Sequence, residues 1–327
     1  MRQLMHRFTL RELAAASTSA LSAELRTRIS LLKASHPRES QHALITQASS
    51  RLARGLEKAE AASEVVAALA EVEGGAAAAV EALGRLNADV RAGDEAQSLL
   101  NTAFASIIGQ RALVQASTLV GHAEPLLRPA SELGAMLENI VEDSQAFTRE
   151  KFGDRPEARL LRVTARGDAP RGDEGVLLEP FVAFPLHELL KNAMGAHVRL
   201  VGADKLDRLP PVEVRYGVKD GTMFVGVTDY GGGWPDASSD ESAVRFLHTT
   251  NPSLIMEDVG WTYSRNFGST FEGLGMGLPM ARLHAKYLGG ELHLHPTTAT
   301  AKGAGVHAAF LFDVTGEHRE PLWDASS

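Results

Sequence analysis

Three short stretches of the 327-residue chain carry residue types whose spacing could do chemistry. In HELLKNAMGAHV (187–198), Glu188, Lys191 and Asn192 fall within about one helical turn, so a carboxylate, an ammonium and a carboxamide share a face while Leu189, Leu190 and Met194 turn to a core. A carboxylate beside a carboxamide suits a proton acceptor next to a magnesium ligand. In VTDYGGGWP (227–235), Asp229 ends an apolar run and three glycines follow, which lets bare backbone approach a planar ligand while the acid accepts a hydrogen bond. In GLGMGLPMARLHAKYLGG (273–290), Gly273, Gly275 and Gly277 alternate ahead of a proline and an amphipathic run. A glycine turn feeding a helix N-terminus exposes free N–H groups and the positive end of the helix dipole, which is one way to hold phosphate. Each stretch alone has a plainer explanation: a surface acid and amide, a tight turn, a closely packed helix start. In this order, with the long polar segment 235–272 between the second and third, one shared ligand under a flexible lid (234–272) explains all of them.

The elements that must position these stretches differ between the two halves of the chain. From about residue 8 to 152 the sequence is rich in Ala, Leu, Glu and Arg, nearly free of proline, and apolar at helical spacing, so it reads as a helical bundle. Leu100, Phe104, Ile107, Ile108 and Val114 fall on one helix face. The alanine-rich stretch 61–96 reads as a structural helix pair with a soft turn at Gly74 and Gly75. After KFGDRP (151–156) the texture changes. ARLLRVTA (158–165), PVEVRYGV (211–218), MFVGVTD (223–229), GELHLH (290–295) and GVHAAFLFDV (305–314) read as strands, with KDGT (219–222) as a hairpin turn and helices between. The expected class is α+β with an antiparallel or mixed sheet, divided into domains 1–155 and 156–327.

Composition narrows the functional classes. With 44% hydrophobic and 23% charged residues the chain is ordinary for a globular protein of two domains. A formal charge of -8, and no basic run, argue against a general nucleic-acid binder. The absence of cysteine excludes disulfides, thiolate metal sites and a cysteine nucleophile. No apolar stretch reaches the roughly 18 residues of a membrane span. The start MRQLMHRFTLR is too polar for a secretory signal, while Arg2, Arg7 and Arg11 without an acid before Glu12 are weakly like a mitochondrial presequence. No His pair at metal-ligand spacing and no nucleophile elbow speaks for hydrolysis.

The set resembles the ATP sites of the GHKL superfamily, and more closely the mitochondrial protein kinases of pyruvate dehydrogenase and branched-chain 2-oxoacid dehydrogenase. The likeness rests on ELLKNAM (188–194), DYGGG (229–233), HTTNP (248–252) and GLGMGLPMARLHAKYLGGEL (273–292), and more faintly on IIGQRAL (107–113) and REKFGDRPEARL (149–160). It implies a four-helix regulatory domain, then a GHKL-type α/β sandwich that binds ATP and magnesium and phosphorylates a serine of a dehydrogenase subunit. By the resemblance, Glu188 orients or deprotonates that serine, Asn192 holds the magnesium ion, and Lys191 neighbours the phosphates. Asp229 receives the adenine amino group, and Gly231 and Gly233 shape its pocket. Thr249 and Thr250 line the nucleotide, while Gly273, Leu274, Gly275, Met276 and Gly277 close on the phosphates with Leu278 capping the turn. The resemblance also implies a potassium ion, a homodimer, docking to a lipoyl domain and residence in the mitochondrial matrix.

The chain departs from the family in ways that bear on activity. Gly195 and Tyr230 stand where many relatives carry Arg, Phe184 where many pyruvate dehydrogenase kinases carry a His one turn before the Glu, and Val306 where Thr is usual. The tail EPLWDASS lacks the family's Asp-Trp element. These departures support an alternative, a catalytically weak or inactive nucleotide-binding scaffold. A sensor histidine kinase fits less well, because in SAELRTRISLL (22–32) Ala23 occupies the place of the phospho-accepting His. His187 lies within the nucleotide helix itself and reads as a solvated or structural His.

Overall fold

The computed structural model describes residues 7–17, 125–152, 163–168, 175–233, 244–245, 275–300 and 303–321, with scattered positions between 19 and 119. The chain divides into two compact units, one of residues 1–126, 245–276 and 317–327, the other of residues 127–244 and 277–316.

In the first unit, helix α1 (Leu10–Ala15) starts at a capping box: Glu12 N–H donates to the Thr9 hydroxyl at 3.1 Å and Thr9 N–H donates to the Glu12 carboxylate at 2.9 Å. Arg319 donates to both Glu12 oxygens, at 3.2 and 2.9 Å, so the end of the described chain is held against its beginning. Every described position from 97 to 119 is helical, and Phe104 and Ile108 are buried there, as their spacing predicts. Leu100, Ile107, Val114, residues 28–32 of the stretch around Ala23 and the stretch 61–96 lie outside the described residues, and so does most of the expected bundle.

The second unit is built on a five-stranded sheet. Its strands are β2 (Val163–Gly167), β4 (Val212–Lys219), β5 (Thr222–Thr228), β6 (Leu292–Thr300) and β7 (Gly303–Asp313), while β1 (Arg128–Pro129) and β3 (Val176–Leu177) form a separate short ribbon. The order is β2-β4-β5-β7-β6, with β2 and β4 parallel and the other pairs antiparallel, so the sheet is mixed and the class α+β. The hairpin between β4 and β5 closes at Asp220 and Gly221, whose φ values of 51° and 75° give the twist a two-residue turn requires. Strand β6 runs past the expected His295. Pro296 stays paired with Val306, which an edge strand tolerates because one of its sides needs no donor.

Among the described residues this unit also holds the α-helices α2 (Leu133–Phe152), α3 (Glu179–Val201) and α4 (Gly277–Tyr287). Helix α3 carries the chain from β2 across to its parallel neighbour β4, a connection that antiparallel hairpins cannot make. It packs against both α2 and α4. Across the sheet, Val214, Val227, Ala308 and Leu294 stand in register on one face, and with Val225, Phe310, Met223 and Phe312 they are buried. Glu213, Thr228, His307 and His295 stand in register on the other. Helix α4 ends in a Schellman turn, with Gly290 N–H donating to Ala285 O at 2.9 Å and Gly289 N–H to Lys286 O at 3.1 Å, which returns the chain directly into β6. Among the described residues no helix is long and apolar enough to cross a membrane.

Phe310 is fully buried, whereas Phe224 on the same sheet is 42% exposed. Phe310→Ala is expected to cost about 3–5 kcal/mol in urea unfolding, with Phe224→Ala within about 1 kcal/mol of the parent.

Candidate functional site

Asp229 follows the last residue of β5 and is buried. Its backbone N–H donates to Val306 O at 3.0 Å, and its carboxylate accepts from Gly231 N–H at 2.8 Å. Burial raises its pKa to about 6, against the lowering effect of backbone hydrogen bonds from Gly231 and Val306 and of the Arg199 charge. At neutral pH the group is therefore mostly a carboxylate, with acceptor capacity left for a donor. The glycine after Tyr230 is required: a Cβ on Gly231 would lie 2.5 Å from the Ala196 Cβ, so no larger residue lets this loop rest on α3. Tyr230 N–H donates to His197 Nε2 at 2.9 Å, and its hydroxyl donates to Glu213 at 2.9 Å.

A second group lies further back along α3. Lys191 donates to Glu188 at 2.6 Å, both side chains are buried, and the ammonium stands 5.2 Å over the Phe147 ring of α2. Asn192, next in sequence, is exposed. Helix α4 begins at Gly277, and a Cβ there would overlap the Glu188 carboxylate, so the glycine lets the start of α4 close against that acid. Gly275 adopts φ 68°, a left-handed turn conformation that suits glycine. Met276 is buried and Leu278 half-buried.

The structure thus brings Gly277 to Glu188, which pairs with Lys191, and the Asp229–Gly231 loop to Ala196, two places along α3. Ala196 lies eight positions beyond Glu188 along α3, a span of about 12 Å with Asn192 between. Gly233 follows in the same loop with φ 80°. Thr249, Thr250, Gly273 and Leu274 lie outside the described residues, as does the lid segment apart from Val244 and Arg245. Among the described residues no three His, Cys, Asp or Glu side chains are grouped to hold a metal. Magnesium needs only one or two protein ligands when phosphate and water supply the rest, and an exposed carboxamide such as Asn192, one turn of α3 beyond Glu188, has the chemistry for that demand.

No protein-family profile matches the chain. Over 224 residues it is 28% identical to the mitochondrial pyruvate dehydrogenase (acetyl-transferring) kinase isozyme 4 of Rhinolophus ferrumequinum, covering 68% of this chain and 51% of that protein. The mitochondrial pyruvate dehydrogenase (acetyl-transferring) kinase of Drosophila melanogaster is 24% identical over 229 residues (68% and 54%), and that of Arabidopsis thaliana 28% over 242 (70% and 60%). The chain is similar in sequence to the pyruvate dehydrogenase kinases. It spans between half and three fifths of the length of these three relatives. Among solved structures, the mycobacterial sensor histidine kinase MprB aligns with 57% of this chain and 96% of its own, at 13% identity and a TM-score of 0.35.

Against these kinases the departures acquire local explanations. Phe184 is core: it stacks on His284 of α4 at 4.8 Å, and Phe181 meets the same ring edge-on at 5.4 Å. Gly195 makes room for a side chain from the next turn, since Arg199 Nη1 would be 3.1 Å from its Cβ. Val306 acts through its backbone, which meets Asp229 by both N–H and C=O. His187 is structural, donating to or accepting from Ser144 at 3.0 Å, and burial lowers its pKa, opposed by Asp143 and aided by Lys191. The sequence reading missed His197 and Arg199. The only signal they offered was their place on the Asn192 helix, one to two turns further on.

Two expectations follow. Lys191→Met leaves the Glu188 carboxylate buried without its cation and is expected to cost about 3–5 kcal/mol in denaturant unfolding, while adding Glu188→Gln recovers part of that loss. The second concerns pH. Burial lowers the His197 pKa to about 4 from 6.5, so as pH falls through that window the unfolded chain takes up a proton that the folded one refuses, and stability is lost. Asp229 acts oppositely: with its pKa raised to about 6 from 3.8, it adds stability as pH falls from about 6 to 4. Asp229→Asn should therefore steepen the acid loss of stability measured by thermal unfolding between pH 7 and 4, and an unchanged slope would count against these shifts.

Proposed function

We propose that this chain is an ATP- and magnesium-dependent protein serine kinase acting on a subunit of a pyruvate or branched-chain 2-oxoacid dehydrogenase complex. The observation that carries the reading is the arrangement along α3. At one end the helix supports the loop of a buried acceptor, Asp229, and at the other it sets Glu188 against the glycine start of α4. Similarity to the pyruvate dehydrogenase kinases supports the choice of substrate class.

In this reading Asp229 accepts the adenine amino group, and Gly231 and Gly233 leave its plane uncovered. Gly273, Leu274, Gly275, Met276 and Gly277 close on the phosphates ahead of α4, with Leu278 capping the turn and Thr249 and Thr250 lining the nucleotide from the lid. Asn192 holds magnesium, whose charge, when bound, offsets that of the phosphate oxygens. Glu188 accepts the proton of the substrate serine, and Lys191 is then free to face phosphate. Residues 1–155 serve as the regulatory and docking half and 156–327 as the ATP-binding half. A homodimer, lipoyl-domain docking, a potassium ion and the mitochondrial matrix belong to the same reading; the relatives' names support a mitochondrial location.

One observation favours a second reading. Glu188 is buried and tied to Lys191, so its carboxylate is not disposed to take a proton until that pair opens. A protein in which it never opens binds nucleotide and acts as a scaffold.

The deciding experiment is incubation with labelled ATP, magnesium and each candidate dehydrogenase, reading label on serine. Glu188→Gln is expected to hold ATP as the parent does while transfer falls by about 10²–10⁴; Asn192→Ala is expected to weaken magnesium-ATP binding itself. A parent that binds ATP but labels no dehydrogenase, and that Glu188→Gln does not alter, is the scaffold. Because an adenine amino group needs the ionised form of Asp229, affinity for ATP should decline as pH falls through about 6, and Asp229→Asn should remove that decline together with most of the affinity.

A further inference from the structure

We propose that His197 is the positioning residue for the base-binding acceptor: by receiving the Tyr230 amide it fixes the peptide plane that follows Asp229 and so aims the Asp229 carboxylate at the base. The inference rests on the nucleotide reading of the site.

Three successive amides leave β5, and each has a different acceptor. Tyr230 N–H goes to His197 Nε2 at 2.9 Å, Gly231 N–H to the Asp229 carboxylate at 2.8 Å, and Gly232 N–H to Ala304 O of β7 at 3.0 Å. The second bond orients the carboxylate, but it exists only if the peptide before it is turned so that Gly231 N–H points back. That peptide is the one His197 holds. A backbone bond to β7 secures the far side of the loop; on the near side His197 holds the Tyr230 amide, while Glu213 takes the hydroxyl at the far end of the Tyr230 side chain. The ring is only 3% exposed, and water does not substitute easily for it there.

Chemistry fixes the form of the ring. To accept at Nε2 the imidazole must be neutral with its proton on Nδ1. Burial keeps it so, holding its pKa at about 4. Its neighbours add to the same support: Ala196 lies against Gly231, and the Arg199 charge acts on Asp229. One turn of α3, residues 196–199, therefore forms the platform on which the base acceptor is set. His197 touches no reacting atom, so its effect falls on nucleotide affinity and not on the transfer step.

The test measures dissociation constants for magnesium-ATP by calorimetry, at a temperature where all variants are folded, in Asp229→Ala, His197→Leu and His197→Gln. The glutamine amide oxygen reaches roughly the place of Nε2 and can accept the same amide. His197→Leu is expected to weaken ATP binding by about 5- to 100-fold, the range for one lost buried hydrogen bond, with kcat at saturating ATP within about twofold; His197→Gln should restore most of the affinity. If Asp229→Ala weakens ATP while His197→Leu does not, the positioning role is overturned and the nucleotide site stands. Wild type that binds no ATP overturns both. Should His197→Leu fail to fold, nitrogen NMR of the intact protein decides: an Nδ1–H tautomer with a slowly exchanging Tyr230 amide supports the role, and an Nε2–H tautomer overturns it.

Discussion

Helix α3 is buried along most of its length, and a buried helix must find partners for every polar side chain it carries. Glu188, Lys191 and His197 are all in that position. The acid and the lysine satisfy each other, and Phe147 covers the ammonium; the imidazole is satisfied by the amide of Tyr230. The loop after β5 that answers His197 is one glycine-rich segment of the candidate site, and the other, the glycine start of α4, packs close against the Glu188 carboxylate. The constraint that stabilises the helix is thus the same one that assembles the site around it.

That arrangement sets a tension between stability and chemistry. A buried ion pair between Glu188 and Lys191 contributes little net stability over an apolar pair of the same shape, yet is costly to break from one side. A negatively charged group that drew Lys191 away would leave the Glu188 carboxylate without that cation. At the other end, burial pushes Asp229 and His197 in opposite directions, each away from its charged form. The loop is held by hydrogen bonds that need a neutral ring and a carboxylate, so both conditions are met together near neutral pH.

Much of this was legible beforehand. The alternation in PVEVRYGV, MFVGVTD and GVHAAFLFDV forecasts strands, because one face of each is covered and the other is not, and KDGT forecasts the hairpin because Asp220 and Gly221 accept positive φ. The spacing of Leu189, Leu190 and Met194 forecasts the buried side of α3, and all three are buried. Other features were hidden for physical reasons. Pro296 masks the continuation of β6, since a strand signal weakens at proline while an edge position permits it. The glycine at 195 looks anomalous in a helix until Arg199 is seen to lie over it.

The sequence alone determined the order of the elements, the glycine positions where backbone must come close, and the acids and amide that accompany them. These follow from local periodicity and from the steric freedom of glycine, which act within a few residues. Tertiary structure decided which groups are free and which are engaged. Only folding turns Lys191 back onto Glu188 beneath Phe147, brings His197 under Tyr230 from 33 residues away, and places the Val306 backbone against Asp229. Hydrogen-bond partnership and desolvation are properties of the packed interior, where the number of neighbours and the loss of water are set by distant parts of the chain.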